Sequence, residues 1–198
     1  ERYIYTKLNA LTRQIFRKED DDVLEYLDDD GLSVEPIYYV PIIPMILVNG
    51  ALGIGTGFAT NIPCYNPKQL IHSIKQKIRD HELKMSYEDS TILPYYEGFK
   101  GVITKIDEHK YATTGCYHVQ GKSTLVITEL PIGMWNENYV NFLEKCLDEK
   151  KWNIKDYRDL STDKVIHMEI LFSSSVALND HKVLEKIVKQ LKLTTTLS

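Results

Sequence analysis

Gly50, Gly53, Gly55 and Gly57 fall within eight residues, and this is the spacing in the chain with the plainest chemical use. Glycine-rich turns can aim backbone N–H groups at an anion. The two nucleotide motifs built on that physics are nevertheless absent. A dinucleotide turn needs GxGxxG opening a helix, but Phe58 stands where the third glycine would follow Gly53 and Gly55, and Ile62-Pro63 stops any helix. A Walker loop needs Gly-Lys-Ser/Thr, which this stretch lacks. What remains is Ile54, an apolar side chain between Gly53 and Gly55 on backbone that a partner can approach closely. Burial beneath a tight turn is the role that residue type alone favours. The other role is a wedge between base steps, which unstacks and kinks a duplex at a cost of roughly a few kcal/mol per step.

The remaining reactive residue types give weaker patterns. Glu19-Asp20-Asp21-Asp22 and Asp28-Asp29-Asp30 could offer oxygen ligands to a divalent cation. Such runs ordinarily form a solvated face, here a short helix and turn ending at Gly31. Cys64, Cys116 and Cys146 are widely separated with no CxxC pair, so neither a disulfide framework nor a zinc site is expected, and an intracellular compartment fits. The formal net charge of −4 excludes a surface that is basic throughout, and any nucleic-acid contact must be local. The longest strongly apolar stretch, 40–48, is about half of a bilayer-spanning helix and contains Pro41 and Pro44. No membrane segment or signal peptide is expected. The chain opens at Glu1 without an initiator Met and ends at Ser198 without a terminating signal, so it is expected to be a piece of a longer protein.

The elements that must carry these residues follow from period and punctuation. Ile4, Leu8, Leu11, Ile15 and Phe16 recur mostly at three and four, predicting a helix over 3–16. Pro36, Pro41 and Pro44 forbid a regular helix, so 36–58 should run extended into a tightly folded glycine loop. Asn66-Pro67 supplies a cap and first helical residue ahead of Leu70, Ile71, Ile74 and Ile78, predicting a surface helix to about Asp80. Beyond residue 100 the β-branched segments 101–106, 110–114, 123–128 and 165–172 predict a sheet of about four strands. Helices are expected at 136–150 and 179–192, with Asn136 and Asn179 available as caps. The fold class is therefore α+β, a mainly antiparallel sheet packed against helices.

Arg2-Tyr3-Ile4-Tyr5-Thr6, followed by Val34-Glu35-Pro36, Tyr39-Val40-Pro41-Ile42-Ile43-Pro44-Met45 and Asn49-Gly50-Ala51-Leu52-Gly53-Ile54-Gly55-Thr56-Gly57-Phe58, closely resembles eukaryotic-type DNA topoisomerase II. Glu129-Leu130-Pro131-Ile132-Gly133-Met134-Trp135, Ile154-Lys155-Asp156-Tyr157 and the terminal run from Lys192 resemble the same family's tower region. The resemblance thus runs essentially end to end. Leu52 and Phe58 depart from it, since familiar cellular members look acidic at the first position and carry tryptophan at the second. A member from a large DNA virus looks the same at this level.

The resemblance implies that Tyr3 is the nucleophile forming a 5′-phosphotyrosyl link and that Arg2 stabilises charge on the phosphate. Nothing in periodicity or composition selects them among 13 tyrosines. It implies that Ile54 inserts into double-stranded DNA, with Gly53, Gly55, Asn49 and, more weakly, Lys192 as DNA contacts. Residues 1–35 would close a winged-helix domain, and 36–198 would form the tower. The family's Mg²⁺ and ATP sites lie in other domains, so no metal ligand is expected in this chain, which by itself should be inactive and monomeric although the complete enzyme is a homodimer. The expected location is the nucleus if cellular, or host cytoplasm or nucleus if viral. A second reading is a non-enzymatic DNA-bending module in which Tyr3 is merely structural.

Overall fold

The computed structural model describes residues 5–82, 92–108 and 110–197, and the chain divides into two compact units, Glu1–Ile92 and Leu93–Ser198. In the first unit the order is α1 (Thr12–Ile15), a 3-10 helix (Lys18–Val23), β1 (Tyr26–Asp29), β2 (Leu32–Pro36), α2 (Met45–Asn49), β3 (Ala51–Gly55), β4 (Phe58–Ile62) and α3 (Pro67–Glu82). Among the described residues of the helix expected over 3–16, only Thr12–Ile15 is helical. The Asn9 side chain accepts from the Leu11 amide at 2.9 Å, and its carbonyl accepts from Thr12 at 3.0 Å. This local turn competes with helix upstream and starts the helix late. Leu8 and Leu11 are exposed, so no packing stripe draws the segment into a longer helix.

Asp30 (φ 51°) and Gly31 (φ 83°) close the β1–β2 hairpin as an Asp-Gly turn. The solvated helix expected across this stretch is thus limited to Lys18–Val23. Residues on both sides of position 35 share the first unit, and Tyr26 pairs with Pro36 across it. The surface helix α3 forms as its cap predicts. The Asn66 side chain accepts from the Lys68 amide at 2.9 Å, and Leu70 and Ser73 are buried.

The second unit holds the hydrophobic core. Its elements are β5 (Val102–Asp107), β6 (Lys110–Thr114), β7 (Tyr117–Gln120), β8 (Thr124–Ile127), α4 (Asn136–Asp148), a 3-10 turn (Lys151–Asn153), β9 (Ile154–Asp159), β10 (Met168–Phe172), α5 (His181–Gln190) and β11 (Thr194–Leu197). They make two antiparallel sheets, ordered β7-β8-β10-β9 and β11-β6-β5, rather than one. Alternate residues Met168, Ile170 and Phe172 of β10, with Leu125 and Ile127 of β8, pack with Tyr139, Leu143 and Cys146, which recur on one face of α4. The Tyr139 hydroxyl donates to the Leu191 carbonyl at 2.9 Å, tying α4 to the end of α5, and burial pushes its pKa far up. Asp180, not Asn179, caps α5 by accepting from the amides of Lys182 and Val183. Asn136 lies inside α4 and leaves its buried side-chain oxygen unpartnered. Paired Thr113–Thr195 and Thr114–Thr194 hydroxyls, each 3.0 Å apart, lace β6 to β11.

Candidate nucleic-acid interface

The glycine-rich stretch is a two-stranded antiparallel hairpin rather than an irregular loop. Pro44 ends the extended run, and α2 follows for a single turn before Gly50 redirects the chain. The extended run is held to α1 through the Ile42 amide on the Ile15 carbonyl at 2.9 Å and a T-shaped Phe16–Tyr39 contact with ring centres 5.6 Å apart. Gly50 takes φ 67°, and a Cβ there would lie 2.7 Å from the Ile62 carbonyl oxygen and 3.0 Å from the Cys64 sulfur. No L side chain fits that position without displacing backbone. The Cys64 thiol donates to the Asn49 carbonyl at 3.2 Å, and the Tyr65 amide donates to the Leu47 carbonyl at 2.7 Å. These contacts pin the root of the hairpin.

From that root the register runs Ala51↔Ile62, Leu52↔Asn61, Gly53↔Thr60, Ile54↔Ala59 and Gly55↔Phe58, with Thr56 and Gly57 (φ 81°) at the turn. Alternation places Leu52 and Ile54 on one face and Gly53 and Gly55 on the other. Ile54 is 90% exposed, so burial beneath a turn, the role its residue type favours, is not the one it has. A Cβ at Gly53 would meet nothing within 4 Å, and one at Gly55 only the Phe58 carbonyl oxygen at 3.8 Å. Neighbours within the described residues therefore do not require glycine at these two positions. Leu52 and Phe58 are also exposed, giving the hairpin an apolar surface that nothing among the described residues covers.

Arg2 and Tyr3 lie outside the described residues. Asn49 is exposed at the hairpin root. Lys192 belongs to the second unit, where it follows α5 in the left-handed region (φ 53°) and sets its ammonium 4.7 Å from the centre of the Phe142 ring. The acidic runs are engaged locally. Asp21 forms a two-oxygen pair with Arg13 at 2.9 and 3.0 Å. Glu19 meets Arg17 at 3.3 Å, and backbone and Arg17 hydrogen bonds hold its carboxyl below the usual range. Asp28 accepts from the Gly31 amide at 3.0 Å in the β1–β2 turn. Among the described residues no group of three or more His, Cys, Asp or Glu could hold a metal ion, and no helix is long and apolar enough to cross a membrane.

The family model for the A-subunit of DNA gyrase/topoisomerase IV matches residues 1–198. This chain belongs to that family of type II topoisomerases. The DNA topoisomerase 2 of Arabidopsis thaliana is 38% identical over 202 residues, covering 100% of the chain and 13% of the relative. That of Acanthamoeba polyphaga mimivirus is 44% identical over 147 residues, 74% of the chain and 11% of the relative. Relatives thus include cellular and viral type II topoisomerases. A crystal structure of the Plasmodium falciparum topoisomerase II DNA-binding, cleavage and re-ligation domain superposes with a TM-score of 0.81 at 41% identity, covering 100% of this chain and 26% of that one. The chain is therefore a small part of the length of these relatives, and its α+β architecture is that of the matched cleavage domain.

Proposed function

We propose that the complete protein is an ATP-dependent type II DNA topoisomerase in which this segment supplies the nucleophile and the hairpin that bends the cut duplex. The observation that carries this reading is Ile54, 90% exposed on a pinned hairpin, beside glycines that no neighbour among the described residues requires. An exposed isoleucine there suits insertion between base steps, and side-chain-free backbone at Gly53 and Gly55 suits close approach to a duplex.

Tyr3 is the nucleophile and Arg2 its electrostatic partner. The phenolic oxygen attacks phosphorus, a P–O bond forms to tyrosine, and the bond to the 3′ oxygen breaks, leaving a 3′-hydroxyl and a 5′-phosphotyrosyl link. Reversal re-forms the strand, because a phenol with a pKa of about 10 is a competent leaving group. The Arg2 guanidinium stays protonated at any working pH and can donate two hydrogen bonds to the phosphoryl oxygens. Divalent-metal stabilisation of the attacking and leaving oxygens, and the ATP that drives strand passage, belong to other regions of the protein. Residues 1–35 complete a winged-helix domain and 36–198 form the tower. The working form is a homodimer with one tyrosine per strand, in the nucleus of a cell or, for a virus, in host cytoplasm or nucleus.

Changing Tyr3 to Phe in the complete protein is expected to abolish covalent protein–DNA adducts trapped by denaturation while leaving DNA binding in place. Persistence of those adducts would mean that another residue is the nucleophile, whereas a parent protein that bends DNA without ever forming adducts would favour a DNA-bending module with a structural Tyr3.

A further inference from the structure

A wedge accounts for a bend but not for what holds the bent duplex. Bending is offset only by contacts along the flanking arms, and a chain of net charge −4 must make them locally. The helix α3 follows β4 directly, its lead-in residues Cys64 and Tyr65 being those that pin the hairpin root. Along α3, Lys68, His72, Lys75 and Arg79 recur at steps of four, three and four, which places them on one stripe. All four are exposed, while the buried Leu70 and Ser73 fall on the opposite side of the helix wheel. Among the described residues none of the four forms an ion pair. His72, Lys75 and Arg79, with Gln76 and Asp80, line a shallow groove of about 330 Å³. Asp80 and Glu82, the acidic residues of α3, are confined to its last turn.

We infer that this α3 stripe grips the phosphate backbone of the duplex arm beside the bend. The inference rests on the DNA-bending reading of the hairpin and adds a second, purely electrostatic contact to it. From Lys68 to Arg79 the stripe extends about 16 Å, at 1.5 Å per residue, and a strand presents a phosphate about every 3.4 Å of duplex axis. The stripe can therefore follow a strand for roughly half a helical turn. The charges of Lys68, Lys75 and Arg79 sit on long exposed side chains with only the polar His72 between them on the stripe, which suits phosphates rather than base edges. An acidic protein partner would leave the salt dependence of DNA binding unaffected by the stripe.

The test uses the complete enzyme with Lys68→Gln, Lys75→Gln and Arg79→Gln combined. Gln matches Lys and Arg in helix propensity, so α3 should persist. Each lost phosphate contact lowers the slope of log K against log salt by about 0.9, and the triple variant should lose about 2 to 3 in slope. The single variant Lys75→Gln should lose about 0.9 and serves should the triple variant not fold. Lys68→Arg with Lys75→Arg should keep the parent slope. An unchanged slope in the Gln variants would overturn the inference. Ile54→Ala, run in parallel, should reduce bending measured by fluorescence transfer between duplex ends and leave the slope alone. Full bending by that variant would remove the wedge reading instead, whatever the stripe variants do.

Discussion

At the scale of single residues, the hairpin depends on Gly50 more than on the glycines nearer its tip. Replacing Gly50 by Ala puts a Cβ at 2.7 Å from a carbonyl oxygen, on backbone at φ 67°, and is expected to destabilise the first unit by about 1–3 kcal/mol. A thermal or denaturant melt of the Gly50→Ala chain checks this, and Gly53→Ala, which meets nothing within 4 Å, should leave the same transition nearly unmoved. The exposure of Ile54 is only half legible in the sequence. The flanking glycines mark a place of close approach, but whether an isoleucine points into a core or into solvent is decided by strand register, which composition does not contain. Tyr3 and Arg2 are legible only through family likeness, because a phenol and a guanidinium at a chain start carry no periodic signal.

At the scale of elements, position within the sheets bears on which strands the sequence reveals. The central strands β6, β8 and β10 are β-branched or apolar and stand out. In the second unit the strands that escape the sequence pattern, β7, β9 and β11, are all at sheet edges, where the legible β5 also lies. β9 reads Ile-Lys-Asp-Tyr-Arg-Asp, a charged pattern of the kind that discourages edge pairing and equally conceals a strand. The α5 cap differs from its expected position by one residue for a related reason, since Asn179 and Asp180 are both good caps and only geometry selects Asp180. The extent of α4, by contrast, is legible, since Asn136–Asp148 falls within the expected 136–150. Leu143 lies 1% exposed at its centre, and Leu143→Ala is expected to cost about 2–5 kcal/mol by leaving a cavity against the β8–β10 face. Denaturant melts followed by far-UV dichroism give that value directly.

At the scale of the whole molecule, burial is distributed unevenly. Every residue of the main hydrophobic cluster belongs to the second unit, while the first unit leaves Leu8, Leu11, Val23, Leu32, Ile37 and Tyr38 exposed. Hydrogen exchange on the isolated chain should therefore show lasting amide protection in β8, β10 and α4 and rapid exchange through β1–β4. Comparable protection in both units would contradict this distribution. In the complete protein the same first-unit amides should gain protection, because surface of this kind ordinarily meets a partner.

The anchoring of the β3–β4 hairpin has a mechanical consequence. On the proposed wedge role of Ile54, a duplex bent at the tip would store elastic energy on the order of 1–6 kcal/mol, and its recoil would bear on Ile54 as a load at the end of a beam about 17 Å long, at five residues per strand. The fastening at Asn49, Gly50, Cys64 and Tyr65 is the fulcrum for that load, and it passes the torque into α3 rather than letting the beam hinge. A looser fulcrum would let the DNA straighten with the isoleucine still in place.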